Sequence, residues 1–160
     1  MTILSQIESK IVSLPDAAEL VSNWKADGQK VVFTNGCFDV LHYGHVCYLA
    51  EAKELGDKLI VGLNSDASVR RLKGKTRPIN GQKERATLLA ALSFIDAIVI
   101  FEEDTPENLI KNISPDFLVK GGDYTFETIV GADFVSSYGG KVITIPLVKN
   151  FSSSSIIKRL

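Results

Sequence analysis

Residues 30–63, KVVFTNGCFDVLHYGHVCYLAEAKELGDKLIVGL, contain a complete strand–helix–strand unit. KVVFTN (30–35) is rich in β-branched and aromatic residues and ends in turn formers. GHVCYLAEAKELG (44–56) sets Val46, Leu49, Ala52 and Leu55 roughly on one helical face, with Gly56 as terminator. KLIVGL (58–63) is a second strand. Both strands are continuous apolar runs, the pattern of strands buried on both faces in a parallel sheet.

The alternation continues outward from this unit. Upstream, SLPDAAELVSNWKADG (13–28) reads as an amphipathic helix, with Pro15 near its start and Gly28 as a stop. Downstream, Ser65 or Asp66 caps a short helix through ASVRRL, and Asn80 caps a helix over GQKERATLLAALSF (81–94). AIVIF (97–101) is a third strand, and Thr105-Pro106-Glu107 opens another helix. DFLVKGG (116–122), a weaker helix around 126–137, KVITIPL (141–147) and a last helix from Ser152 complete the chain. The pattern predicts an α/β fold, a Rossmann-like three-layer α/β/α sandwich with a five-stranded parallel sheet. It is expected as one domain over residues 1–160, with 1–29 as an N-terminal helical extension. In such sheets ligands bind beyond the carboxyl ends of the strands, where the strand order reverses.

Composition excludes several classes. Eighteen basic residues against nineteen acidic argue against a general nucleic-acid coat. No apolar run approaches the ~20 residues of a membrane span, and acidic residues interrupt the N-terminus where a secretory signal would be apolar. Two cysteines, Cys37 and Cys47, give no disulfide framework, so a reducing cytoplasm is the expected location.

Three loops carry the polar chemistry. In the first, Gly36 allows close backbone approach, and Asp39 precedes His42 and His45, the only histidines in the chain. A helix starting near residues 41–44 would offer free N–H groups and its positive dipole end to an anion. The two imidazoles, three residues apart, would lie on one side of its first turn. Two other readings compete. A zinc site from Cys37, His42, His45 and Cys47 has poor spacing, because Cys47 points away from His45. Alternatively, each histidine could simply satisfy backbone.

The second loop, RRLKGKTRPINGQKER (70–85), is the densest basic segment, and most of it reads as solvated surface. Beside an anion site, however, its flexible basic turn suggests contacts to a polyphosphate. The embedded GKT is not a phosphate-binding P-loop, because Val69 stands where that motif's first glycine belongs. The third set is VKGGDY (119–124) with SSSSIIKRL (152–160). Its glycines admit a flat ligand, Asp123 can accept from a ribose or base, and the serines cap a second helix start. Together the loops describe a nucleoside triphosphate between two helix N-termini.

GCFDVLHYGH (36–45) resembles the G-x-F-D-x-x-H-x-G-H signature of the cytidylyltransferase-like nucleotidyltransferases, and the likeness runs from about residue 30 to the C-terminus. More narrowly, residues 33–80, FEEDTPENLI and PDFLVKGGDY resemble the adenylyltransferase domain of bifunctional heptose synthases. The resemblance implies AMP transfer from ATP to D-glycero-β-D-manno-heptose 1-phosphate, a step toward lipopolysaccharide core. Only about thirty residues precede the signature here, which suggests a stand-alone enzyme served by a separate heptose kinase. It implies catalytic roles for His42, His45 and Lys73. Nucleotide contacts would come from Asn35, Gly36, Cys37, Phe38, Asp39, Gly121, Asp123, Ser152, Ser153 and Ser154. Substrate contacts would come from Lys75, Arg77 and Arg85. Mg²⁺ would arrive on the nucleotide with no protein metal ligands, and a homodimer is expected, with neither nucleic acid nor membrane as partner.

Three positions depart from relatives. Cys37 replaces a frequent threonine or serine, which leaves Cys47 to the core. Ser93 replaces an arginine of glycerol-phosphate cytidylyltransferases, and KNFSSSS lacks their R-T-x-G. The last two favour the heptose branch over a polyol-phosphate cytidylyltransferase. An ATP-binding sensor without turnover is the alternative outside the enzymes.

Overall fold

Five apolar segments pair into one all-parallel sheet in the computed structural model of the chain, which describes residues 1–122 and 124–160. They are β1 (Val31–Gly36), β2 (Lys58–Asn64), β3 (Ala97–Phe101), β4 (Phe117–Gly121) and β5 (Lys141–Ile145), in the order β3-β2-β1-β4-β5. The register runs from Val31 beside Lys58 to Gly36 beside Leu63. From the central β1 the chain builds outward to β3, then crosses back to place β4 on the other side of β1. The order therefore reverses between β1 and β4, and a crevice opens at their carboxyl ends.

Helices cover both faces: α1 (Ile3–Glu8), α2 (Leu14–Ala26), α3 (Tyr43–Glu54), α4 (Asp66–Lys73), α5 (Gln82–Ala90), α6 (Glu107–Ile113), α7 (Ala132–Ser137) and α8 (Ser153–Ile157). Successive strand residues point to opposite faces. Val31, Phe33, Ile60, Val99 and Leu118 meet Ala17 and Val21 of α2, Leu109 and Ile110 of α6, and Val135 of α7. Val32, Leu59, Val61, Ile98 and Val119 meet Leu49 and Ala52 of α3 and Ala86 and Leu89 of α5. The expected three-layer sandwich is the observed one.

Residues 1–29 join both cores. Besides α2, the linker after α1 lies along the edge of β3: Ile98 N–H donates to the Lys10 carbonyl at 2.8 Å, and Val12 N–H donates to the Ile98 carbonyl at 2.9 Å. Ile7 and Ile11 pack beside the second core. This covers an otherwise open strand edge, where unpaired backbone would invite association.

Local expectations fail at four places. Gly81, not Asn80, is the cap position of α5, because the Asn80 side chain is drawn instead to the Asp39 carbonyl at 3.0 Å. Helix α6 begins one residue late, with Pro106 as its uncapped entry. The expected helix over 126–137 divides into a 3₁₀ turn at Phe126–Thr128 and α7, separated by Gly131 at φ 86°. Cys47 is half-buried at the surface of α3 rather than core.

Candidate active site

A cleft of about 450 Å³ lies at the carboxyl ends of β1 and β4. Its walls are the β1–α3 loop, the end of α4, the end of β4 and the start of α8. Thirteen of the residues expected in the site line it: Asn35, Gly36, Cys37, Phe38, Asp39, His42, His45, Lys73, Arg77, Gly121, Ser152, Ser153 and Ser154. Lys75 and Arg85 do not, and Asp123 lies outside the described residues.

The histidines reconcile the backbone reading with the chemical one. His42 is the N-cap of α3; its Nδ1 accepts the His45 N–H at 3.4 Å, and His45 Nδ1 accepts the His42 N–H at 3.3 Å. This is a capping box built from imidazoles. The rings stack with centroids 3.7 Å apart and 22° between planes. A ring nitrogen that accepts carries no hydrogen, so each neutral imidazole is protonated on Nε2. Both Nε2–H groups thus remain as donors, and both rings line the cleft. Burial, and then the charge of His42, push the His45 pKa down to about 4. Burial also lowers that of His42. The pair is neutral near pH 7, and the first-turn N–H groups of Tyr43 and Gly44 have no intrahelical partner.

Surrounding residues fix this pair. Phe38 takes φ 44°, and its ring meets His45 edge-on at 5.1 Å between centroids. A Cβ on Gly36 would stand 2.9 Å from the Phe38 ring, so the room this glycine leaves is filled by Phe38 rather than by a ligand. At Gly44 a Cβ would stand 3.0 Å from both His42 Cε1 and Phe151 Cβ. Glycine there lets the segment before α8 sit against the first turn of α3. Ser152 caps α8, accepting the Ser155 N–H at 3.0 Å, and Ser153 Oγ donates to the Val40 carbonyl at 3.1 Å. The Ser152 and Ser153 hydroxyls therefore join α8 to the first loop, besides lining the cleft.

The basic loop contributes less to the ligand than its composition suggests. Asp39 is buried, and one of its oxygens accepts the N–H groups of Ile79 and Asn80 at 2.7 and 3.0 Å. The other accepts from Arg77 Nε. Burial pushes the Asp39 carboxyl up, but these three donors outweigh it and hold it below the ordinary carboxylate value. Asp39 and Arg77 thus satisfy each other and pin residues 77–80 against the β1–α3 loop.

Arg85 is a correction. Its side chain is fully buried, donating to the carbonyls of Asn80, Cys37 and Asn64 at 2.9, 2.7 and 2.8 Å and to Asp66 at 2.9 Å. It braces three segments from inside and has no surface for a substrate. Lys75 is exposed beyond Gly74, outside the cleft. Lys73, the last residue of α4, is exposed at the cleft mouth.

The structure adds residues that were not foreseen. Lys120 and Tyr124 line the cleft, with the Lys120 ammonium 5.3 Å from the Tyr124 ring centroid. A lysine inside the otherwise apolar strand FLVKG, half-buried in the structure, was the available signal. Tyr48, also lining the cleft, is buried on α3 and hydrogen-bonds Thr34 at 2.6 Å; burial raises its pKa to about 12. Burial likewise pushes the Cys37 thiol up, against the lowering charges of Lys73, Arg85 and Arg77.

A crevice at a strand-order reversal, bounded by a helix N-terminus with two neutral imidazole donors and by a lysine-bearing helix end, is suited to an anionic ligand. The sequence model of the cytidylyltransferase-like family matches residues 33–159, and the chain belongs to that family. The bifunctional protein HldE of Paramagnetospirillum magneticum is 56% identical over 153 residues, 96% of this chain and 31% of the relative. Its namesake in Geobacter sulfurreducens is 53% identical over the same shares. The chain thus spans about a third of the length of these curated relatives. Among solved structures, the lipopolysaccharide core biosynthesis protein of Thermoplasma volcanium aligns with TM-score 0.61 and 30% identity, over 78% of this chain and all of the other. A pantoate-beta-alanine ligase of Francisella tularensis, 17% identical with TM-score 0.61 over 94% of this chain and 78% of its own, shares the fold. Among the described residues, no helix is long and apolar enough to cross a membrane.

Proposed function

We propose that the protein transfers AMP from ATP to D-glycero-β-D-manno-heptose 1-phosphate, giving ADP-heptose and pyrophosphate. The observation that carries the chemistry is the His42–His45 pair, whose mutual capping leaves two neutral Nε2–H donors at the positive end of α3. The choice of acceptor rests on the resemblance of residues 33–80 and PDFLVKGGDY to heptose synthases, supported by relatives called bifunctional HldE and by a core-biosynthesis structural neighbour.

The acceptor's phosphate oxygen is already an anion, so the step needs no strong base. That oxygen forms a bond to the α-phosphorus of ATP as the bond to the β-phosphate oxygen breaks, and pyrophosphate carries away the electron pair. Positioning and charge stabilisation then supply the rate. His42, His45 and Lys73 would donate to the α-phosphate oxygens as charge grows there, with the free N–H groups of Tyr43 and Gly44 behind them. Asn35 and Gly121 would border the nucleoside, with Ser152, Ser153 and Ser154 nearby. The Lys73 and Lys120 side chains of the lining suit phosphates, and Mg²⁺, entering on the triphosphate, would supply charge neutralisation for the leaving pyrophosphate. A homodimer and a cytoplasmic location belong to the same proposal.

Pyrophosphate release, measured with each of four nucleoside triphosphates against heptose 1-phosphate and glycerol 3-phosphate, tests it. Release with ATP and heptose 1-phosphate is expected. Turnover only with CTP and glycerol 3-phosphate would make it a polyol-phosphate cytidylyltransferase, and ATP binding without release would make it a sensor.

A further inference from the structure

Among the described residues, none beyond Ile145 belongs to either core, and α8 buries no residue of its own. The segment after β5 nevertheless supplies a wall of the cleft, through Leu147, Val148, Phe151 and the serines. Phe151 is set against the first turn of α3. Its ring lies 6.3 Å from that of His42 between centroids, with 27° between planes, and meets Tyr43 edge-on at 5.3 Å and 62°. Both are favourable aromatic geometries. Gly44 permits the approach, since a Cβ there would stand 3.0 Å from His42 and Phe151 alike. Asn150, just before Phe151, takes φ 68°, a left-handed conformation that asparagine tolerates in a tight turn.

We infer that Phe151 is a positioning residue for nucleotidyl transfer: its ring holds the His42 imidazole in the orientation that presents Nε2–H to the cleft. The inference rests on the proposed adenylyl transfer and adds to it a residue outside the GCFDVLHYGH signature. His42 needs this support. The two bonds of the capping box are 3.3 and 3.4 Å, long for hydrogen bonds, and a histidine ring turns easily about its last torsion. The box therefore sets which nitrogen carries the hydrogen but holds the ring loosely. Packing has to supply the aim, because a misplacement of about 1 Å costs on the order of 10²-fold in rate. Each histidine has its own phenylalanine for this purpose. Phe38 meets His45 edge-on, and Phe151 lies nearly parallel to His42. Tyr43, on the outer side of the helix start and 62% exposed, backs Phe151 in turn.

The test uses Phe151→Ala, Phe151→Tyr, His42→Ala and the double variant Phe151→Ala with His42→Ala. Phe151 is 41% exposed and outside both cores, so these chains should fold, which circular dichroism checks. Pyrophosphate release with ATP and heptose 1-phosphate gives kcat, and calorimetry with a non-reacting ATP analogue gives the nucleotide Kd. Phe151→Ala is expected to lower kcat on the order of 10–100-fold while leaving that Kd within about threefold, less than one strong contact. Phe151→Tyr, which keeps the ring, should recover kcat to within about threefold of wild type. In the His42→Ala background, Phe151→Ala should change kcat by less than about twofold, because the residue it positions is gone. An unchanged kcat in Phe151→Ala overturns the inference, as does an equal loss in the His42→Ala background. A weakened nucleotide Kd with kcat intact also overturns it, and makes the ring a platform for the base. In each of these cases the adenylyl transfer stands. If the wild type releases no pyrophosphate, the activity is wrong, and the imidazole tautomers decide the inference. They are read from ¹H–¹⁵N spectra of the ligand-free protein in mildly alkaline solution, with His42→Asn assigning the signals. A His42 ring that is Nε2–H in the wild type and a mixture of tautomers in Phe151→Ala supports positioning; the same pattern in both overturns it.

Discussion

The rings of His42 and His45 stack with centroids 3.7 Å apart, and each Nδ1 accepts the other residue's backbone N–H. One nitrogen of each ring therefore completes a helix cap, and the other is left for a ligand.

This division can be separated by His42→Asn. Asparagine is a good N-cap, so its side-chain oxygen can keep the bond to the His45 N–H while the Nε2–H donor is lost. Unfolding free energy should change by less than about 0.5 kcal/mol, and kcat should fall on the order of 10²–10³. Urea denaturation and pyrophosphate release measure the two; a loss of stability with activity intact would mean that the residue only caps.

Burial also gives the pair a pH signature. The His45 pKa drops from 6.5 to about 4 on folding, so between those values the unfolded chain binds a proton that the folded chain does not. Stability should fall as pH is lowered through this window, by about 1–2 kcal/mol after solvent screening. Asp39 acts lower: its folded carboxyl is held below 3.8, so its contribution is present above that value and is lost only in more acid solution. Denaturation midpoints of wild type and His45→Gln, compared from pH 7 to 4, check this. Parallel curves for the two proteins would contradict it.

Two basic residues of the same loop region should behave oppositely. Arg85→Met removes a fully buried guanidinium that serves three carbonyls and the half-buried Asp66, and should cost about 3–5 kcal/mol of stability. Lys73→Met, at an exposed helix end, should leave stability within about 0.5 kcal/mol while lowering kcat on the order of 10²–10³. Denaturation and turnover assays on both variants read the contrast. An Arg85→Met protein of normal stability and weakened substrate affinity would restore the arginine to the substrate.

Legibility in the sequence followed the range of the interactions. Strand β1, its glycine and the start of α3 are local features displayed directly by residues 33–49, and the serine cap of α8 is as plainly displayed by SSSS at 152–155. Apolar strands announced the parallel sheet for the same reason. The destinations of polar side chains across the fold were not legible. Arg85 reaches carbonyls 48 and 21 residues away, and Asp39 binds a loop some 40 residues on, so composition alone made both resemble ligand contacts. Lys120 was overlooked because its importance comes from β4 lying beside β1, a pairing that only the crossover creates. Asn80 looked like a helix cap until the buried Asp39 loop claimed its side chain.

In the proposed function, two neutral imidazoles stabilise charge on the α-phosphate during nucleotidyl transfer. The most direct measurement is the rate of pyrophosphate release from ATP and heptose 1-phosphate by the wild type, His42→Ala and His45→Ala, each first shown to be folded by circular dichroism. The predicted result is a wild-type enzyme and a loss on the order of 10²–10³ in kcat for each variant; folded variants working within a few-fold of wild type would contradict the account.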